Sequence, residues 1–157
     1  MQRQMLKSKL HRATVTGCDP DYVGSLTLDP ELMQSADLMA NEQVHVWDLE
    51  NGARFVTYVI EGQPGSGTVQ VNGAAALLAS EGHKVIVASF GAYDQRDLEA
   101  YAPVVVHVGE HNRVVQVDSH PEVLLGSTLA SEAGVDAPGA PAWDEIPGSL
   151  TPNEVAR

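Results

Sequence analysis

The chain has 157 residues, with 9 Lys and Arg against 21 Asp and Glu and a formal net charge of −12. So anionic a surface opposes general nucleic-acid binding, which needs cations to displace counterions from phosphates. A transmembrane helix, which needs a run of about 18 apolar residues, has no candidate stretch. The basic start MQRQMLKSKLHR is not followed by the apolar stretch of a secretory signal. The single cysteine, Cys18, excludes an internal disulfide and a Cys-rich zinc site. The expectation is a cytoplasmic globular protein with neither a nucleic-acid nor a membrane partner.

Residues 4–17 alternate well enough for a strand with Met5, Lys7, Lys9, His11, Ala13 and Val15 on one side. Residues 25–28 (SLTL) make a short strand, and Asp29 is placed to cap a helix from Pro30 to Ala36. Residues 43–49 and 54–60 flank Glu50-Asn51-Gly52-Ala53, and an Asn-Gly pair between two strand patterns signals a hairpin. QPGSG at 63–67 turns into a strand at 68–71, after which Asn72-Gly73 opens a short helix over AAALLAS, closed by Gly82. Strands follow at 83–90, 104–108 and 114–117, with a helical or looped excursion from Asp94 to Tyr101. Many short strands, few helices and no βαβ alternation predict a mainly β fold, a small closed barrel. Residues 120–157 hold five of the nine prolines, six acids and one base, so an acidic, flexible Pro-rich tail is expected behind a body of 1–119.

Taken singly, the polar residues are ambiguous. Gly-Ser occurs at 24–25, 65–66, 126–127 and 148–149, and only the first runs into a strand pattern with a tyrosine, Tyr22, just upstream. Thr57 and Tyr58 read equally as strand packing, Arg3, Lys7, Lys9 and Arg12 as a solvated edge, and Asn72 as a helix cap. The six histidines show no H-x-x-H or H-E-x-x-H spacing, and His107 and His111 straddle a turn at Gly109, so no metal is expected.

Together, KLHRATVT (9–16), Tyr22-Val23-Gly24-Ser25, NGARFVTY (51–58), VNGAAA (71–76) and IVASF (86–90) resemble, in order and spacing, the pyruvoyl-dependent aspartate 1-decarboxylase family. The resemblance covers roughly residues 1–118. It implies a six-stranded double-psi β-barrel with short helices, assembled as a homotetramer with active sites between subunits. It implies that the chain cuts itself between Gly24 and Ser25 into 1–24 and 25–157, Ser25 becoming a covalently bound pyruvoyl group that makes PLP unnecessary. L-Aspartate would be decarboxylated through a Schiff base to β-alanine and CO₂, feeding pantothenate and coenzyme A biosynthesis. In that family pattern Thr57 serves self-processing and substrate binding, and Tyr58 is the proton donor. Lys9 and Arg54 hold the substrate carboxylates, and Asn72, Gly73, Ala74 and Ala75 contact substrate. His11, Tyr22 and Trp47 are supports. Outside the resemblance, an unprocessed small-barrel binding or regulatory module fits the same residues. Thr57 and Tyr58 are consecutive and so point to opposite faces of a strand; both serve one chemistry only at a bulge, a barrel rim or a subunit boundary.

Overall fold

A strand of 12 residues, β1 (Arg3–Thr14), is the spine of the molecule, which the computed structural model describes over residues 1–22 and 25–122. It pairs antiparallel with β7 (Lys84–Tyr93) and parallel with β8 (Val104–Val108). The other strands are β2 (Gly17–Asp19), β3 (Leu26–Leu28), β4 (Gln43–Asp48), β5 (Arg54–Glu61), β6 (Val69–Asn72) and β9 (Val114–Asp118). All nine form one sheet in the order β2-β6-β3-β5-β4-β7-β1-β8-β9. β2 continues the chain of β1 yet pairs with β6 at the far end of that order, and Thr16 N donates to the Val69 carbonyl at 2.8 Å. The sheet thereby closes into a small barrel, mainly β as expected, in which parallel pairs (β1/β8, β2/β6, β3/β5) mix with antiparallel ones. Its strands exceed six in number because β2 and β3, three residues each, and the edge strand β9 add to the longer ones.

The core is built from alternate residues of these strands. Val44 and Val46 of β4, Val69 and Val71 of β6 and Val85 and Val87 of β7 are all buried against Leu10, Leu26 and Leu28. β-Branched side chains suit such a half-buried pleated surface.

Helix α1 (Pro30–Ser35) starts where the sequence placed it, with Asp29 as its cap. Asp29 does more than cap. Its Oδ1 accepts from Glu31 N at 2.9 Å and Gly65 N at 3.1 Å, and its Oδ2 accepts from Gly67 N at 2.6 Å. The carboxylate thus ties the helix to the 63–67 turn, where Gly65 and Gly67 take φ of +71° and +69°. Burial works against its charge, but the three N–H groups and Arg113 hold its pKa below the ordinary range. Asp29→Ala strands three donors in a buried place and is expected to cost about 3 kcal/mol, read as a shift in the urea midpoint.

Two expectations need correction. The regular alternation assigned to residues 4–17 is broken by register shifts between Leu6 and Ser8 and between Leu10 and Ala13, with Arg12 at φ 64°. Ala13 and Val15 consequently join Leu10 in the core, on the side away from Lys9 and His11. Lys7 leaves the shared face as well, bonding the Asp37 carbonyl and pairing with Glu42 Oε1 at 2.8 Å. The helix expected up to Gly82 is only a 3₁₀ turn, Gly73–Leu77. Leu77 and Leu78 are exposed, so no buried apolar stripe supports further turns. The expected tail lies outside the described residues from 123 onward, as do Val23 and Gly24. Among the described residues no helix is long and apolar enough to cross a membrane.

Candidate active site

Ser25 stands at the entrance of β3, which runs between β5 and β6. Leu26 is the register partner of both Val59 and Val71, so continuing the parallel β3/β5 register by one residue sets Ser25 beside Tyr58. The Ser25 carbonyl accepts from Asn72 N at 3.0 Å. Asn72 is buried, and its side chain makes no helix-cap bond. Its Nδ2 instead donates to Thr27 Oγ1 at 2.9 Å, and its Oδ1 accepts from Gln70 Nε2 at 2.8 Å. These bonds pin the start of β3 to the end of β6. Gly73, at φ 61°, then turns the chain into the segment carrying Ala74 and Ala75.

On β5 the faces separate cleanly. Arg54, Val56 and Tyr58 are exposed on one side, while Phe55 and Thr57 are half-buried on the other and Val59 is fully buried. The β4/β5 register runs unbroken from Gln43↔Tyr58 to Trp47↔Arg54, so no bulge turns Thr57 and Tyr58 to the same side. At the start of β5 the Arg54 guanidinium lies over the Trp47 ring, 5.0 Å from its centroid, a cation–π contact that fixes a long side chain. Four residues of strand, about 13 Å, separate Arg54 from Tyr58.

Lys9 and His11 share one face of β1, as period two demands. Lys9 is 8% exposed, and its Nζ donates to the Pro121 carbonyl at 2.6 Å. Burial lowers its pKa, while the Asp118 and Glu122 carboxylates raise it. Among the described residues, neither of the buried His11 ring nitrogens has a hydrogen-bond partner. Burial first, then the charge on Lys9 with smaller effects of His107 and Arg12, pushes the His11 pKa down to about 4 against the opposing pull of Asp118. The folded chain therefore refuses a proton that the unfolded chain accepts near pH 6.5, so stability is lost as pH falls from about 6.5 to about 4. His11→Phe should shrink that loss, measured as the difference between thermal unfolding midpoints at the two ends of the window.

Ser25, Tyr58, Asn72 and Gly73 are thus brought together around the head of β3, whereas Thr57 lies on the other face of β5. Lys9 with His11, and Arg54 with Trp47, form two further groups. Between β1 and β3 the sheet order interposes β7, β4 and β5, and among the described residues no hydrogen bond or ion pair joins Lys9 or Arg54 to Ser25. Tyr22 is exposed next to the undescribed residues 23–24. Sequence reading missed Thr27 and Gln70, which hold Asn72, and the buried pair His107 and Asp118, whose one signal was a polar residue in each of two valine-rich strands. Among the described residues no group of three or more His, Cys, Asp or Glu could hold a metal ion.

A family model described as aspartate decarboxylase matches residues 1–115. The chain belongs to the aspartate decarboxylase family. Similar proteins include the aspartate 1-decarboxylase of Mycolicibacterium smegmatis, 52% identical over 121 residues, covering 77% of this chain and 89% of the relative. That of Acetivibrio thermocellus is 49% identical over 115 residues, covering 73% and 91%. That of Albidiferax ferrireducens is 46% identical over 120 residues, covering 76% and 89%. The part of the chain shared with the aspartate decarboxylase family is the barrel, and all three residue groups lie within it.

Proposed function

We propose that the chain decarboxylates L-aspartate to β-alanine and CO₂ after cutting itself between Gly24 and Ser25. The observation that carries this reading is the setting of Ser25, at the head of β3 with its carbonyl held by Asn72 N and Tyr58 beside it on the neighbouring strand. In the cut, Ser25 Oγ attacks the Gly24 carbonyl carbon, the Gly24–Ser25 C–N bond breaks as an ester forms, and the nitrogen takes up the proton. Loss of the Ser25 α-proton and the acyl oxygen then frees Gly24 as a carboxylate. Water next releases ammonia, leaving a ketone at the head of fragment 25–157. Thr57 serves in this reading as the donor to the oxyanion of the first step; one aimed donor is worth about 3 kcal/mol.

The residues present fit a pyruvoyl group. The Ser25–Leu26 peptide survives the cut, so the carbonyl that accepts from Asn72 N at 3.0 Å persists as the group's amide carbonyl, and the Asn72 bonds to Thr27 and Gln70 are undisturbed. Such a ketone supplies the electron sink that PLP provides elsewhere.

The rest falls to the chain's own side chains. Lys9 and the Trp47-braced Arg54 meet the two substrate carboxylates, Arg54 offering a bidentate fork. The backbone of Asn72 through Ala75 lines the amine end, and His11, neutral at working pH, and Tyr22 wall the site. Tyr58, carrying a phenolic proton, delivers it to the carbon that CO₂ leaves. Thr57 and Tyr58 on opposite faces of an unbulged strand, with the cations in separate groups, support a site shared between copies in a homotetramer. We place the enzyme in the cytoplasm, supplying β-alanine for pantothenate and coenzyme A, with residues 120–157 as a tail outside the catalytic body of 1–119.

Intact-mass measurement of the purified protein, paired with a β-alanine assay, tests the reading. Two fragments, 1–24 and a ketone-headed 25–157, are expected together with product. A full-length chain with ordinary Ser25 and no product would overturn it.

A further inference from the structure

Behind Lys9 lies a buried acid–imidazole pair that none of these roles uses. Leu10, Val104 and Val106 face the core, so Lys9, His11, Val105 and His107 share the opposite face of the sheet. Val105 is the register partner of both Lys9 and Asp118, and His107 is that of His11. Lys9 and Asp118 therefore occupy one row, two strand spacings or about 10 Å apart at Cα. The His107 and Asp118 side chains are both nearly inaccessible, with His107 Nε2 at 2.7 Å from Asp118 Oδ2, away from the ideal in-line direction of a hydrogen bond. Asp118 Oδ1 accepts from His120 N at 2.8 Å, and Gln116 Nε2 approaches Oδ2 at 3.4 Å. The His11 and His107 rings meet edge to face, 5.8 Å between centroids.

A carboxylate buried this far is costly unless something needs its charge. The Lys9 ammonium does. Its described partner is a neutral carbonyl, and it makes no ion pair among the described residues. Among the described residues the charged and titratable groups around it are few. β1 contributes His11 and Arg12, β8 contributes His107, and β9 contributes Asp118, while the segment beyond β9 contributes His120 and Glu122. β7, on the other flank of β1, presents Ala88 and Ser89, which carry no charge. Of the two acids, Glu122 has a side chain 66% exposed and is screened by water, whereas Asp118 is buried and clamped.

We propose that Asp118, clamped by His107, is a positioning residue for Lys9. It supplies a fixed negative charge in the same row, two strands away, that balances the ammonium without pairing to it, leaving the N–H donors not spent on the Pro121 carbonyl for a substrate carboxylate. A direct pair would occupy the ammonium with the protein's own acid. The inference rests on the reading of Lys9 as a carboxylate-binding residue.

The test compares Asp118→Asn, Lys9→Gln, Lys9→Arg and the double variant Asp118→Asn/Lys9→Arg, following KM for L-aspartate against pH. Asp118→Asn should move the alkaline rise in KM down by about one pH unit, with kcat below that rise changed less than about twofold. In the Lys9→Arg background, where the charge does not titrate, Asp118→Asn should move nothing. The Lys9 ¹³Cε resonance, titrated in the uncut Ser25→Ala chain with and without Asp118→Asn, should show the same shift without turnover. A merely structural Asp118 would move neither. If Lys9→Gln leaves KM unchanged, the reading of Lys9 falls and the inference with it. If Lys9→Gln raises KM about tenfold or more, yet Asp118→Asn leaves both the KM rise and the resonance in place, the positioning role alone is overturned. Should Asp118→Asn not fold, His107→Gln replaces it. The loosened carboxylate then turns onto Lys9 and KM rises about tenfold at all pH, and an unchanged KM overturns the proposal.

Discussion

Ser25→Ala is expected to give one folded, uncut chain of 157 residues with no β-alanine formation. Without the hydroxyl there is no acyl shift, hence no ketone, and the loss is the whole rate enhancement, at least about 10⁶-fold. Folding should survive. The bond that holds position 25 runs from Asn72 N to a backbone carbonyl, which alanine retains, and β3 pairs with β5 and β6 through Leu26, Thr27 and Leu28. Intact mass and circular dichroism on the same preparation read both points. Cleavage at 24/25 in this variant would contradict attack by the Ser25 hydroxyl.

Tyr58→Phe separates maturation from turnover. The phenol is on the exposed face of β5, with the ring 39% exposed, so phenylalanine keeps the packing and the register with Gln43. The variant should cut itself as the wild type does and yet lose about 10²- to 10⁴-fold in kcat, the usual worth of a positioned proton donor. kcat and kcat/KM should fall together, since the proton moves only in the transition state. Near-normal turnover in a fully processed sample would remove the role assigned to the phenol.

Local signals were the legible part of this fold. Asn51-Gly52 marked the β4–β5 hairpin, with Gly52 at φ 76°, and Asp29-Pro30 marked the start of α1, because each depends on a few neighbouring residues. What escaped depends on partners distant in sequence. The bulges of β1 flank the stretch, Ser8 to Leu10, that pairs with β7 and β8 at once, and nothing in residues 4–17 alone reports those partners. The helix over AAALLAS failed for a related reason, as good helix formers without a surface to bury against end after one turn. For the site, the motif order singled out Ser25, Tyr58 and Asn72, and the β3/β5 and β3/β6 registers bring them together. The burial of Lys9 and its neighbours His107 and Asp118 was invisible, since their meeting requires the closed sheet and a register some hundred residues long.

The position of the proposed cut has a thermodynamic sequel. Both β1, bonded to β7 and β8, and β2, bonded to β6, lie upstream of Ser25. The mature protein would thus be a non-covalent complex in which a short peptide supplies the longest stave of the barrel. Melting it would release two species instead of one, and their reunion would be second order, slowing with dilution. Heat damage that the precursor repairs by itself would, after maturation, grow harder to reverse as the protein concentration falls.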